Sequence, residues 1–394
     1  MNKLITNISF LTVAPILGYT IQFLVLPIII LDIGIGSWGK WNIGIAYSSI
    51  GLFLSDYGAS TGFIARMNEG RAKEELIRMA LPNRLLFTSV SCFLILVFFI
   101  LYGETFFLSG LVILLSGLLN FDSVLLFENR SKYIAIRELM SKIITILLLL
   151  FLKYYFGKIS SIILFTAFLA GGLFSFCFNL YLFRIFVLSI KRRDFSHLTK
   201  FWIEFSSDMT NSISQLIQAR APIIIINMFG GVGLAGSWSV IEGLGRAVLT
   251  PFGIIGHSLF ATVKLSRAQI INFGRLKLVM ISLGLGSIIL ICFVAIKPLL
   301  EHYFHLTWSD SRYIVYFLFV TFAGLILVLY NVIFSNYYSI RLTNYSSLMA
   351  FVPATVTLLI LLTIHIDVWL SMALSLVIYE LSKPLIVYLW HENN

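Results

Sequence analysis

The sequence predicts an all-α polytopic membrane protein of about twelve transmembrane helices in two six-helix bundles. Three observations lead there. Only 12% of the 394 residues are charged, against 59% hydrophobic. The apolar residues are gathered into runs long enough to cross a bilayer. A short series of landmark residues recurs half a chain apart. A soluble domain carries about a quarter charged residues, so water is not the main solvent of this chain.

The runs include Ile8 to Leu31, Leu85 to Tyr102, Ile143 to Tyr155, Ile162 to Val187, Leu278 to Ile296, Tyr313 to Phe334 and Met349 to Ile366. A bilayer core of about 30 Å needs about 20 helical residues per crossing. Spans are therefore expected near 8–31, 41–63, 84–102, 106–124, 136–155, 160–187, 205–228, 236–262, 276–298, 313–338, 345–366 and 369–390. The first follows only Lys3 and has no small-residue cleavage site, so it reads as a retained helix and not a signal peptide.

Charge orients these spans. With the N-terminus inside, the inner segments hold 21 of the 28 basic residues and the outer ones hold 5, leaving Arg220 and Arg246 inside spans. The positive-inside rule then places both termini in the cytoplasm. The net charge of +10 is thus parcelled into short loops, which explains it better than nucleic-acid binding does. Trp38, Trp41, Trp238, Trp308 and Trp369 fall at outer span ends, where an aromatic belt is expected. Cys92, Cys177 and Cys292 all lie in apolar runs, so no disulfide framework or metal cluster is implied. No hydrophilic segment is long enough for an extramembrane domain, and no phosphate-cradling Gly-x-x-x-x-Gly-Lys-Ser/Thr pattern occurs. This excludes a nucleotide-driven pump. No cofactor is implied.

Pro27 to Asp32 recurs as Pro222 to Asn227 at an offset of 195, and Gly39-Lys40-Trp41 as Gly236-Ser237-Trp238 at 197. Six spans per half make the halves parallel, and transporters built so bind substrate near the midplane. The expected division is residues 1–190, a basic linker at 191–200, and 201–394.

Charge at mid-membrane costs at least ~2.5 kcal/mol per residue and marks a pathway or an internal pair. Arg220 and Arg246 each lie ten residues in from the outer ends of spans seven and eight, about 15 Å deep. Guanidinium groups facing a cavity suit a pyrophosphate; alternatively Glu242, four residues before Arg246, neutralises it within the helix. Span seven carries Glu204, Asp208, Asn211, Gln215 and Gln218 at helical spacing, a stripe that lines a watery passage or bonds to neighbouring helices. Arg66 shares a helical face with Ser48 and Ser55; it is a third cationic candidate or a boundary charge. Asp56, Glu242 and Glu380 are candidates for carrying a coupling ion, and local hydrogen bonding is the alternative role for Asp56 and Glu380. Pro15, Pro251 and Pro353 interrupt spans and would permit bending. The histidines show neither metal spacing nor a nucleophile triad.

The segment Leu26-Pro27 through Gly39-Lys40-Trp41 to Leu54-Ser55-Asp56-Tyr57-Gly58-Ala59-Ser60, with the basic loop after it, resembles the bacterial O-unit flippases of the Wzx type. Those belong to the polysaccharide transporter branch of the multidrug/oligosaccharidyl-lipid/polysaccharide exporter superfamily. Phe229-Gly230-Gly231-Val232-Gly233, Gly236-Ser237-Trp238-Ser239 and the run from Glu242 to Phe260 agree with it. The resemblance implies two bundles rocking about a central cavity in the bacterial inner membrane. It implies an undecaprenyl-pyrophosphate-linked O-antigen repeat unit as substrate, carried from the cytoplasmic to the periplasmic face by alternating access. Cationic cavity residues would hold the head group, membrane lipid would surround the protein, and the polysaccharide polymerase machinery would receive the product. The rivals are export of another lipid-linked glycan, such as a capsule or peptidoglycan precursor, or of drugs. From another class comes an integral-membrane polymerase or ligase, which the short outer loops disfavour.

Overall fold

A computed structural model describes residues 17–18, 21, 24–128, 130–188, 198–262, 349–363 and 366–392. Among these the regular structure is helical. The elements are α1 (Leu24–Ile33), α2 (Ile35–Asp56), α3 (Ala59–Asn68) and α4 (Lys73–Tyr102). A 3-10 turn (Thr105–Leu108) follows, then α5 (Ser109–Leu118), α6 (Asp122–Phe127), α7 (Ser131–Phe156) and α8 (Ser161–Leu188). The helical run Leu198–Thr262 is divided by Gly231 into α9 (198–230) and α10 (232–262). The chain closes with α11 (Phe351–Thr363) and α12 (Val368–Glu392). Ten of the twelve expected spans thus coincide, in whole or part, with described helix, and those at 276–298 and 313–338 lie outside the described residues.

Contacts gather the chain into two units, Met1–Ser239 and Val240–Asn394. In the second, α11 packs on α12 around Ala350, Ala354 and Tyr379, and the Lys383 ammonium sits 4.2 Å from the centroid of the Tyr379 ring. Pro353 occupies the first turn of α11, where a missing N–H costs nothing. Most of the linker expected at 191–200 lies outside the described residues.

Within the first unit, contacts of Asp32 with Lys153, Lys40 with Glu104 and Gly36 with Val232 bring the turns at Gly34, Gly103, Gly157 and Gly231 to one end, away from the basic loops. All four of those glycines have positive φ. At the basic end Phe63, Leu76, Ile77, Leu81, Phe121, Phe183, Phe201 and Phe205 form one buried cluster. The opposite end is pinned by Lys153 on Asp32 (2.7 Å) and Lys40 on Glu104 (3.1 Å). Trp38, Trp41 and Trp238 are buried in the protein and do not form the expected lipid-facing belt; Trp41 packs against Phe168 at 5.4 Å. The exposed aromatics of that end include Tyr102, Tyr154, Tyr155, Phe156 and Phe229.

The landmark residues spaced half a chain apart share a backbone feature. Gly34 (φ 81°, ψ 153°) separates α1 from α2, and Gly231 (φ 77°, ψ 173°) breaks the helical run between α9 and α10. Both conformations belong to a region that only glycine enters cheaply. The separation is 197 residues, the same that relates Gly39 to Gly236 and Trp41 to Trp238. The two crossing glycines meet each other. A Cβ on Gly39 would fall inside the Val232 carbonyl oxygen and 2.9 Å from the Gly236 nitrogen, and one on Gly236 would fall inside the Ile35 carbonyl oxygen. Ile35 and Val232 each stand four residues before their own glycine, so the contact is reciprocal, as a two-fold relation demands.

Candidate functional site

Span two is not one helix. α2 ends at Asp56, and Tyr57 (φ 47°) and Gly58 (φ 80°) turn the chain before α3 begins. Asp56 staples the break: its carboxylate accepts the backbone N–H of Ser60 at 3.1 Å and the Ser60 hydroxyl at 2.8 Å. The break removes the shared helical face inferred for Ser48, Ser55 and Arg66. Ser48 and Ser55 instead donate to backbone carbonyls of Gly44 and Leu52, at 2.8 and 2.6 Å, inside helix packing.

α3 carries Arg66 against α9. Its Nε donates to Glu204 Oε1 at 3.0 Å, its Nη1 to Asp208 Oδ2 at 2.8 Å and to the Gly62 carbonyl at 3.0 Å, and its Nη2 to the Glu204 carbonyl. The guanidinium plane lies 3.8 Å from the centroid of Phe205, and Arg71 adds a second cation 3.4 Å from Glu204. Gly62 makes this approach possible, since a Cβ there would stand 2.7 Å from the Asp208 carboxylate. Arg66 therefore sits in a cage of two carboxylates and an aromatic face, and the inner end of the span-seven stripe is occupied in holding it.

A second polar network runs through the first unit and was not singled out from the sequence. Arg84, 2% exposed, donates to Asp56 and to the Asn120 carbonyl and lies 4.3 Å from the Phe121 ring centroid. Arg137, 3% exposed, grips Asp122 with both Nη atoms at 2.7 and 2.9 Å and reaches Glu138 at 2.7 Å and Asn179 at 3.2 Å. In the sequence both arginines are simply two of the 21 basic residues of the inner segments. Their burial is legible in the companions Asn120 and Asp122, which interrupt an apolar run at the point where α5 gives way to α6. Asn83, beside Arg84, accepts from Trp202 Nε1 at 2.7 Å and donates to the carbonyls of Leu54 and Ser55, at 3.0 and 2.8 Å, tying α4, α2 and α9 together.

The remaining candidates are dispersed along helices. At about 100° per residue, Glu204, Asp208, Asn211, Gln215 and Gln218 fall in a sector of about 80° on α9, whereas Arg220 falls roughly 160° from its centre. Arg220 is half-buried on the opposite face of α9 from the stripe that clamps Arg66. Counted from Gly231, Arg220 lies ~16 Å along α9, and Arg246 lies ~22 Å along α10. Glu242, half-buried, precedes Arg246 by one turn on the helical backbone of α10. Asn211, Gln215, Gln218, Arg246 and Glu380 have described helical backbones, and their side chains lie outside the described ones.

No family model matches this chain, and no curated protein does. Solved structures do. The chain superposes on a eukaryotic MATE transporter, AtDTX14, with a TM-score of 0.64 at 13% identity, covering 99% of this chain and 96% of that one. It superposes on an outward-facing multidrug resistance MATE transporter of the MOP superfamily with a TM-score of 0.57 at 14% identity, covering 98% and 94%. A third, a MATE transporter in a bent conformation, gives 0.58 at 15% identity, covering 98% and 94%. The chain is a multi-pass, all-α membrane protein with the fold of the MATE transporters.

Proposed function

We propose that the protein is a bacterial inner-membrane flippase, with both termini cytoplasmic and six-helix bundles at 1–190 and 201–394. It would carry an undecaprenyl-pyrophosphate-linked O-antigen repeat unit from the cytoplasmic to the periplasmic face by alternating access. The single observation that carries the choice of an anionic cargo is the asymmetry of charge against the repeat. At the 197-residue offset, Arg246 stands in register with Ser49, and Arg220 with Phe23. The other half carries serine and phenylalanine at those positions, so the arginines are not part of what the landmarks share, and guanidinium forks match diphosphate oxygens. Arg66, already held by Glu204 and Asp208, fits a fastening role better than direct head-group binding. Asp56 and Glu380 stay candidates for ion coupling, with Glu242 the group nearest Arg246 in sequence.

Cells lacking the protein are expected to lose surface polysaccharide and to accumulate lipid-linked repeat units facing the cytoplasm. Arg246→Ala and Arg220→Ala, combined, are expected to reproduce that accumulation at normal protein levels. Retained transport by the double variant would sink the head-group role. The multidrug transporter among the structural neighbours favours one rival, drug export. It predicts instead that the deletion sensitises cells to organic cations while leaving their surface polysaccharide intact.

A further inference from the structure

The two ends of the first unit are fastened by different physics. At the basic end α9 is held to α3 and α4 by the Arg66 cage, by Asn83 on Trp202 and by Phe63 edge-on to Phe205. At the other end α2 and α10 meet backbone to backbone at Gly39 and Gly236, with no side chain of either glycine between them. The neighbouring charge, Lys40, turns away to Glu104 next to α4 and does not bridge the crossing. Separating two such backbones strands no buried charge, whereas separating the basic end would strand three. The crossing also lies five residues past Gly34 and five past Gly231, the two glycines of positive φ, and α1 and α2 are bent by 110° where they join.

We propose that the Gly39–Gly236 crossing is a releasable seal, closed in this structure, that parts whenever the protein opens toward the end away from its basic loops. The proposal rests on the reading that the protein alternates access, and not on which molecule it carries. The two glycines are there because a tight seal without side chains can close and reopen with little penalty. A methyl group at either position pushes the backbones apart and shifts the population toward the open form.

The test is a pulsed electron paramagnetic resonance distance in the full-length protein in liposomes. Cys92, Cys177 and Cys292 are replaced by serine, and spin labels are placed at Tyr102→Cys and Phe229→Cys, exposed positions at the ends of α4 and α9. Two distances are expected, and the share of the longer one should rise at least about threefold in Gly39→Ala and in Gly236→Ala. Gly36→Ala, whose Cβ meets a Val232 methyl at 3.8 Å, and Gly233→Ala, whose Cβ meets nothing within 4 Å, should leave the shares unchanged. A single distance in every variant would make the contact permanent packing and overturn the proposal. An equal response in Gly233→Ala would overturn it as well. If one glycine variant does not fold, the other applies the same perturbation from the opposite helix, and the two distances of the parent protein still decide. No substrate enters the measurement, so the lipid-linked cargo can fail its own test while the seal passes this one, or the reverse.

Discussion

Replacing Arg66 by methionine keeps much of its length and removes its charge. Two carboxylates then lose their partner, Glu204 at 18% and Asp208 at 6% side-chain exposure. Stranding a buried charge this way costs about 3–5 kcal/mol. Arg71, 3.4 Å from Glu204, offsets part of it, so the lower end is the better expectation. Loss of the guanidinium from the face of Phe205 at 3.8 Å works in the other direction by about 0.5–2 kcal/mol. A net cost of about 4 kcal/mol corresponds to a thermal midpoint lower by roughly 8 °C, at about 2 °C per kcal/mol for a long chain. The informative comparison is the double variant. Asp208→Leu alone leaves Arg66 bonded to Glu204 and should cost less than Arg66→Met. Combined with Arg66→Met it removes the stranded Asp208, so the pair should be more stable than the sum of the singles predicts by about 1–3 kcal/mol. Thermal midpoints of the four proteins in one detergent provide the measurement. Additivity within about 0.5 kcal/mol would mean that Arg66 does not neutralise Asp208, and the cage would lose its meaning.

Two further substitutions probe the network of the first unit. Arg137→Lys keeps the charge and loses the two-pronged grip on Asp122, so the thermal midpoint should fall by the equivalent of about 1–3 kcal/mol; an unchanged midpoint would argue against the fork. Asn83→Leu leaves Trp202 Nε1 without its acceptor, and the carbonyls of Leu54 and Ser55 without a side-chain donor. The expected cost is about 1–3 kcal/mol by the same measurement. A neutral Asn83→Leu would show that α9 is held to α4 by apolar contacts alone.

The membrane class and the spacing of the helices were legible because crossing a bilayer is a constraint on length and composition, and both are written along the chain. The paired landmarks were legible for a related reason. Gly39-x-Trp41 and Gly236-x-Trp238 mark places where backbone approach tolerates no side chain, so each half keeps the same residue. The Gly34 and Gly231 turns, where φ is positive, follow the same logic at the same offset, and there the structure sharpened two unequal offsets into one.

Which charges meet was decided by tertiary structure. Arg66 and Asp208 are 142 residues apart, and Trp202 reaches back 119 residues to Asn83, so neither bond has a local signature. Arg84 and Arg137 read from sequence as loop charges serving orientation, and packing buries both, because α4 and α7 extend past the apolar runs into the basic end. The break at Tyr57 and Gly58 likewise ended a face that helical periodicity had joined. Composition and spacing therefore determined that this chain lives in a membrane as a set of helices. Long-range Coulomb and hydrogen-bond pairing decided which arginines fasten it, since such pairing depends on distance in space and leaves no period in the sequence.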